Sequence, residues 1–109
     1  MTAAEKTRLL AERVMGGRIT TAYGGGWFID DVFLNQVSWQ PLTNLAHAGE
    51  VLEAMVRKGF QFDAQDCGVG KYKSWFRAPG VGAQAYAPLL STAICHAALL
   101  AVGVKEEEL

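Results

Sequence analysis

Three stretches of this sequence hold residue types that could do chemistry, and the richest is Lys71-Tyr72-Lys73-Ser74-Trp75-Phe76-Arg77. In an extended chain residues two apart share a face, so Lys71, Lys73, Trp75 and Arg77 point one way and Tyr72, Ser74 and Phe76 the other. Cations around an aromatic suit an anionic partner such as a nucleotide, a single strand or an acidic protein surface. The same row also keeps a strand soluble, with Trp75 packed under its neighbours' long stems. The second stretch, Gly24-Gly25-Gly26, offers backbone amides to an anion, although no helix N-terminus follows at once and turn glycines often serve geometry alone. The third, Gly68-Val69-Gly70-Lys71, lacks the features of a phosphate loop. Gln65 stands where glycine is required, Tyr72 stands where serine or threonine is required, and no helix follows, so it reads as a hairpin turn.

The remaining reactive groups are scattered. Cys67, Cys95, His47 and His96 have none of the spacing of a zinc site, and the adjacent Cys95 and His96 diverge on a helix. A Cys67–His47 nucleophile and base would need the fold to bring them together, and no orienting acid is evident. Asp30, Asp31, Asp63 and Asp66 sit in loops or near strand ends, where paired carboxylate chemistry and plain solvation are both open readings. No catalytic motif emerges, and the residues call for neither cofactor nor metal. The expectation is a protein that is not an enzyme.

Composition narrows the partners. The chain has 109 residues, a net charge of −1 and an apolar half, which suits one globular domain. With no overall positive field, duplex DNA is not an expected partner and any basic site must be local. Two cysteines in unlike contexts suit reduced thiols in a cytoplasm. No signal peptide is expected at the N-terminus, because Met1 to Arg8 runs directly into an amphipathic helix. The apolar run Pro88 to Val102 is too short and too interrupted upstream for a membrane span, so it reads as a buried core helix.

The other elements must position these groups. Thr2 to Glu5 resembles a capping box, and Leu10, Ala11, Val14 and Met15 make the buried stripe of a first helix over Ala3 to Met15. Arg18 to Tyr23 and Trp27 to Ile29 read as strands flanking the glycines, and Asp30 to Ser38 as irregular. A second helix follows a cap at Thr43 or Asn44, with Leu45, Ala48, Leu52, Met55 and Val56 as its stripe and Gly59 as its end. Phe60 to Asp63 and Lys71 to Arg77 alternate as the arms of an antiparallel hairpin turning over Gln65 to Gly70, and Ala78 to Gly82 reads as a loop into the core helix. The expected fold is therefore α+β, a small mostly antiparallel sheet sandwiched between helices, in the order helix, hairpin, helix, hairpin, helix. Residues 1–104 form one domain and 105–109 a charged tail. Limited interior for three apolar stripes also suggests a homodimer.

Leu10 to Gly16 (LAERVMG), Leu45 to Met55 (LAHAGEVLEAM) and Ala93 to Leu99 (AICHAAL) together resemble the phage ABA sandwich domain family. Gly17, Gly49 and His96 depart from its pattern. The resemblance implies a sheet-and-helix sandwich of phage or prophage origin, with no activity or catalytic residues to carry over. It implies an accessory protein acting in the host cytoplasm by binding a host protein, with inhibition of an antiviral defence as its most concrete form. A small-molecule or nucleotide binder using Lys71, Lys73, Trp75, Arg77 and Gly24 to Gly26 is the alternative, and an enzyme of unknown class is the third reading.

Overall fold

Capping starts the first helix where expected. In the computed structural model, which describes Met1 to Leu109, the Thr2 hydroxyl accepts from the Glu5 amide at 3.1 Å, satisfying one of the orphan donors of a helix start. Helix α1 (Ala3–Leu9) continues as a π-helical turn over Leu10–Val14, with Leu10, Ala11 and Val14 buried. Helix α2 (Leu45–Arg57) is capped by Asn44, whose side chain accepts from the His47 amide. Its buried stripe is Ala48, Val51 and Met55. Leu45 and Val56, expected inside, are exposed, so the inward face is rotated from the one expected. Helix α3 (Leu90–Ala101) is buried nearly all round, through Ser91, Ala93, Ile94, Cys95, Ala97, Ala98 and Leu99. Its polar start is satisfied by the chain before α2: the hydroxyls of Ser91 and Thr92 both donate to the Leu42 carbonyl, at 2.8 and 2.7 Å.

The strands are antiparallel, as alternation implied, but they divide into two sheets of three. The first holds β1 (Arg18–Thr20), β2 (Gly26–Ile29) and β3 (Val32–Asn35). Strand β3 occupies part of the segment expected to be irregular. Asp30 takes a left-handed φ of 53°, which aspartate tolerates, and the resulting tight reversal pairs Val32 with Ile29 and Leu34 with Trp27. Trp27 is buried and donates through its indole N–H to Glu12 at 3.1 Å; Trp39 does the same to Glu50 at 2.9 Å. These two bonds give the buried tryptophans polar partners and tie the first sheet and its following loop to the π-helical turn after α1 and to α2.

The second sheet holds β4 (Gln61–Asp66), β5 (Tyr72–Ala78) and β6 (Val81–Ala87). Here too the hairpin gains a third strand. Val81 to Ala87 is paired along its length with β5, so the loop expected over Ala78 to Gly82 is reduced to a turn at Pro79 and Gly80, and β4 runs on to Asp66 through residues expected to turn. The inner face of this sheet carries Ser74, Phe76, Ala83, Ala85 and Ala87, all buried, and α3 packs over it. Alanines on β6 allow the α3 backbone to come close, while Phe76 fills the space between with Phe62 and Phe60 at ring-centre distances of 5.0 and 6.4 Å. The result is an α+β sandwich with one continuous core reaching from Trp27 to Leu99. No helix is long and apolar enough to cross a membrane.

Candidate functional site

Burial of Ser74 and Phe76 fixes the direction of their neighbours. Because α3 covers one side of β5, Lys73, Trp75 and Arg77 must stand on the other. Register then assembles the rest of that outer face. Asp63 and Gln84 flank Trp75, Gln65 and Tyr86 flank Lys73, and Gln61 and Gly82 flank Arg77. Lys71 precedes the strand, its carbonyl accepting from the Cys67 amide in the turn, and its ammonium nonetheless reaches the same face.

On this surface cations and rings alternate. Lys71 Nζ lies 4.9 Å from the Tyr86 ring centre, Lys73 Nζ lies 5.9 Å from Tyr86 and 4.9 Å from Trp75, and the Arg77 guanidinium lies 4.3 Å from Trp75. Cation–ring attraction at these distances is worth about 0.5–1 kcal/mol per exposed contact, enough to favour one arrangement of otherwise mobile stems. Arg77 also donates through Nη2 to Asp63 Oδ2 at 3.3 Å, while its buried Nε has no protein partner. Trp27 and Trp39 spend their indole N–H on glutamates; that of Trp75 meets no protein acceptor and lies beside Gly82, where a side chain would otherwise stand. A shallow recess of about 230 Å³ opens between β4 and β5, lined by Asp63, Ala64, Gln65, Lys73 and Trp75.

The glycine run lies in the other sheet. Gly25 donates its amide to Ala22, the Gly24 carbonyl accepts from the Gln36 side chain, and the Gly25 carbonyl accepts from the Gln36 amide. Gly26 faces the Leu34 carbonyl so closely that no Cβ would fit. These glycines therefore have a structural task, the close approach of β2 to β3. The structure does not join them to Lys71, Lys73, Trp75 and Arg77 in one surface.

Nor do the histidines and cysteines converge. No three His, Cys, Asp or Glu side chains gather in metal-binding geometry. His47 Nδ1 accepts from the Gln40 amide at 3.0 Å, and Cys67 is exposed in the β4–β5 turn. Cys95 is buried, and the apolar surroundings push its thiol up to about 12, which keeps it protonated and unreactive. His96 is held below its ordinary value, first by burial and then by the Lys6 ammonium, whose Nζ lies 3.0 Å from Nε2. At that contact neutral imidazole is the acceptor.

Tyr86, Gln84 and Gln65 were not singled out from sequence. Gly and Ala make Val81 to Ala87 a weak strand former, yet the strict alternation Ala83, Gln84, Ala85, Tyr86, Ala87 was a usable signal. Asp63 was placed at the end of the Phe60 to Asp63 strand but not beside Trp75, because that pairing depends on register.

No curated protein matches this chain. Among solved structures it is similar to the 2.0 Å crystal structure of a phage protein from Bacillus cereus ATCC 14579, at 21% identity and a TM-score of 0.69, covering 96% of this chain and 91% of that one. At that identity the likeness establishes a common fold. The sequence model of the phage ABA sandwich domain matches residues 8–99, a span that contains all three segments carrying the resemblance and both sheets up to α3. The chain therefore belongs to the phage ABA sandwich domain family.

Proposed function

We propose that this is a non-catalytic phage accessory protein that acts by binding an anionic host component on the outer face of β4–β6, and that the effect of capture is to inhibit an antiviral defence of the host. The observation that carries the reading is charge segregation. The whole chain has a net charge of −1, yet Lys71, Lys73 and Arg77 line up beside Trp75 and Tyr86 on one open face where Asp63 is the opposing charge. A local field of that sign attracts an anion that the chain as a whole would not. Membership of a phage family supports the host as the source of the target.

The test is retention of a host component by the purified protein, read by native mass spectrometry beside a variant with Lys71, Lys73 and Arg77 all changed to Gln. The variant should lose the component while melting near the parent, because ion pairs at the surface contribute little to stability and Gln keeps part of the half-buried stems of Lys73 and Arg77. Retention by the parent should also fall as salt rises, since such attractions are screened over about 8 Å at physiological ionic strength. Cells making the parent, and not the variant, should then plate phage on a defended host. A component retained equally by both proteins would remove the reading.

A further inference from the structure

Resting on that reading, we infer that the captured component is a nucleotide whose base carries an amino group, held with its ring in the recess between β4 and β5 and its phosphate on Lys73 and Lys71. Size comes first. About 230 Å³ lies below the roughly 300–1,000 Å³ of pockets that enclose drug-sized ligands, so one heterocycle fits and the charged part of the ligand must lie outside. Lys73 lines the recess and Lys71 continues the row through Tyr86, which is where a phosphate attached to such a ring would emerge.

The walls supply the rest of the recognition. Trp75 offers the recess an aromatic wall, reached as the Lys73 ammonium turns from the ring to the phosphate; base–aromatic stacking tolerates any base. Selectivity falls to Asp63 and Gln65, two residues apart on β4 and so on one face. Asp63 lines the recess and engages Arg77 through Oδ2, which leaves Oδ1 as a free acceptor. A carboxylate accepts and cannot donate, so it suits the exocyclic amino groups of cytosine, adenine or guanine, whereas uracil offers it a single ring N–H between two carbonyl oxygens that repel it. Arg77, paired to the same carboxylate, offsets the repulsion between Asp63 and the phosphate.

Isothermal titration of the full chain with CMP, GMP, UMP and inorganic pyrophosphate tests this. CMP or GMP should bind at least tenfold tighter than UMP or pyrophosphate. Asp63→Asn should erase the preference over UMP, because the amide also donates. Trp75→Ala should weaken every nucleotide by roughly 5- to 150-fold, the range that base stacking spans, without weakening pyrophosphate. Pyrophosphate binding as tightly as the nucleotides would overturn the inference and leave a plain anion-binding face, with the proposed function intact. If none of these probes binds while host-component retention still depends on Lys71, Lys73 and Arg77, the target is an acidic macromolecule and the inference again falls alone. If that retention is equally indifferent to the lysines, both readings fall together.

Discussion

Trp75 and Phe76 are neighbours in sequence on opposite sides of one sheet, and truncating each in turn should give opposite results. Phe76 is fully buried against Phe62 and Phe60. Phe76→Ala loses the transfer energy of the ring and leaves a cavity beneath α3, together costing about 3–5 kcal/mol. A small domain has about 5–15 kcal/mol of stability in total. In a domain near 100 residues each kcal/mol moves the melting temperature by about 4–8 °C, so the loss should be roughly 15 °C or more. Trp75 is half-buried and forfeits two cation–ring contacts, together about 1–2 kcal/mol, and part of its apolar burial, but leaves no enclosed cavity, so its loss should be the smaller of the two. Thermal melts of both variants by circular dichroism at one pH and salt provide the comparison. Should Trp75→Ala melt as low as Phe76→Ala, the indole belongs to the core and the β5 face cannot be a ligand surface. A Phe76→Ala protein melting beside the parent would show that the faces of β5 are assigned the wrong way round.

Four further outcomes are expected. Unfolded His96 binds a proton near pH 6.5 and folded His96 only below that, so the unfolded state holds more protons as pH falls and stability should drop through and below pH 6.5; His96→Gln should flatten that part of a melting-temperature profile. Iodoacetamide at pH 8 should label Cys67 alone in the native protein and both thiols after unfolding, because Cys95 is buried and its thiol lies near 12; two labels on the native chain would contradict the packing of α3. Ser91→Ala and Thr92→Val should each cost under about 1 kcal/mol while the pair costs more than their sum, since either hydroxyl alone still satisfies the Leu42 carbonyl; denaturant titration of the three variants measures this. Ser74 is fully buried and its hydroxyl has no protein partner, so Ser74→Ala should leave the denaturant midpoint unchanged or raise it.

Periodicity was sufficient where local pattern and burial agree. The apolar run around Ile94 could only be a covered helix, the Thr2 and Asn44 caps mark helix starts by their own chemistry, and the alternation from Lys71 to Arg77 sorted its side chains onto two faces before any partner strand was known. Family membership was also readable, because its segments are packing residues within single elements. What the sequence could not supply was pairing between elements of weak propensity. Val32 to Asn35 and Val81 to Ala87 become strands through the neighbours that accept their hydrogen bonds, and those neighbours divide the strands between two sheets. The rotated stripe of α2, with Leu45 and Val56 outside and Val51 inside, has a similar origin: hydrophobicity nominates several residues, and the direction of the adjoining helices selects among them. The candidate site follows the same division. Its cations and tryptophan lie on β5 or, for Lys71, just before it, and were legible from spacing, whereas Asp63, Gln65 and Tyr86 join them only through cross-strand register, which is decided by which face of each strand the core can bury.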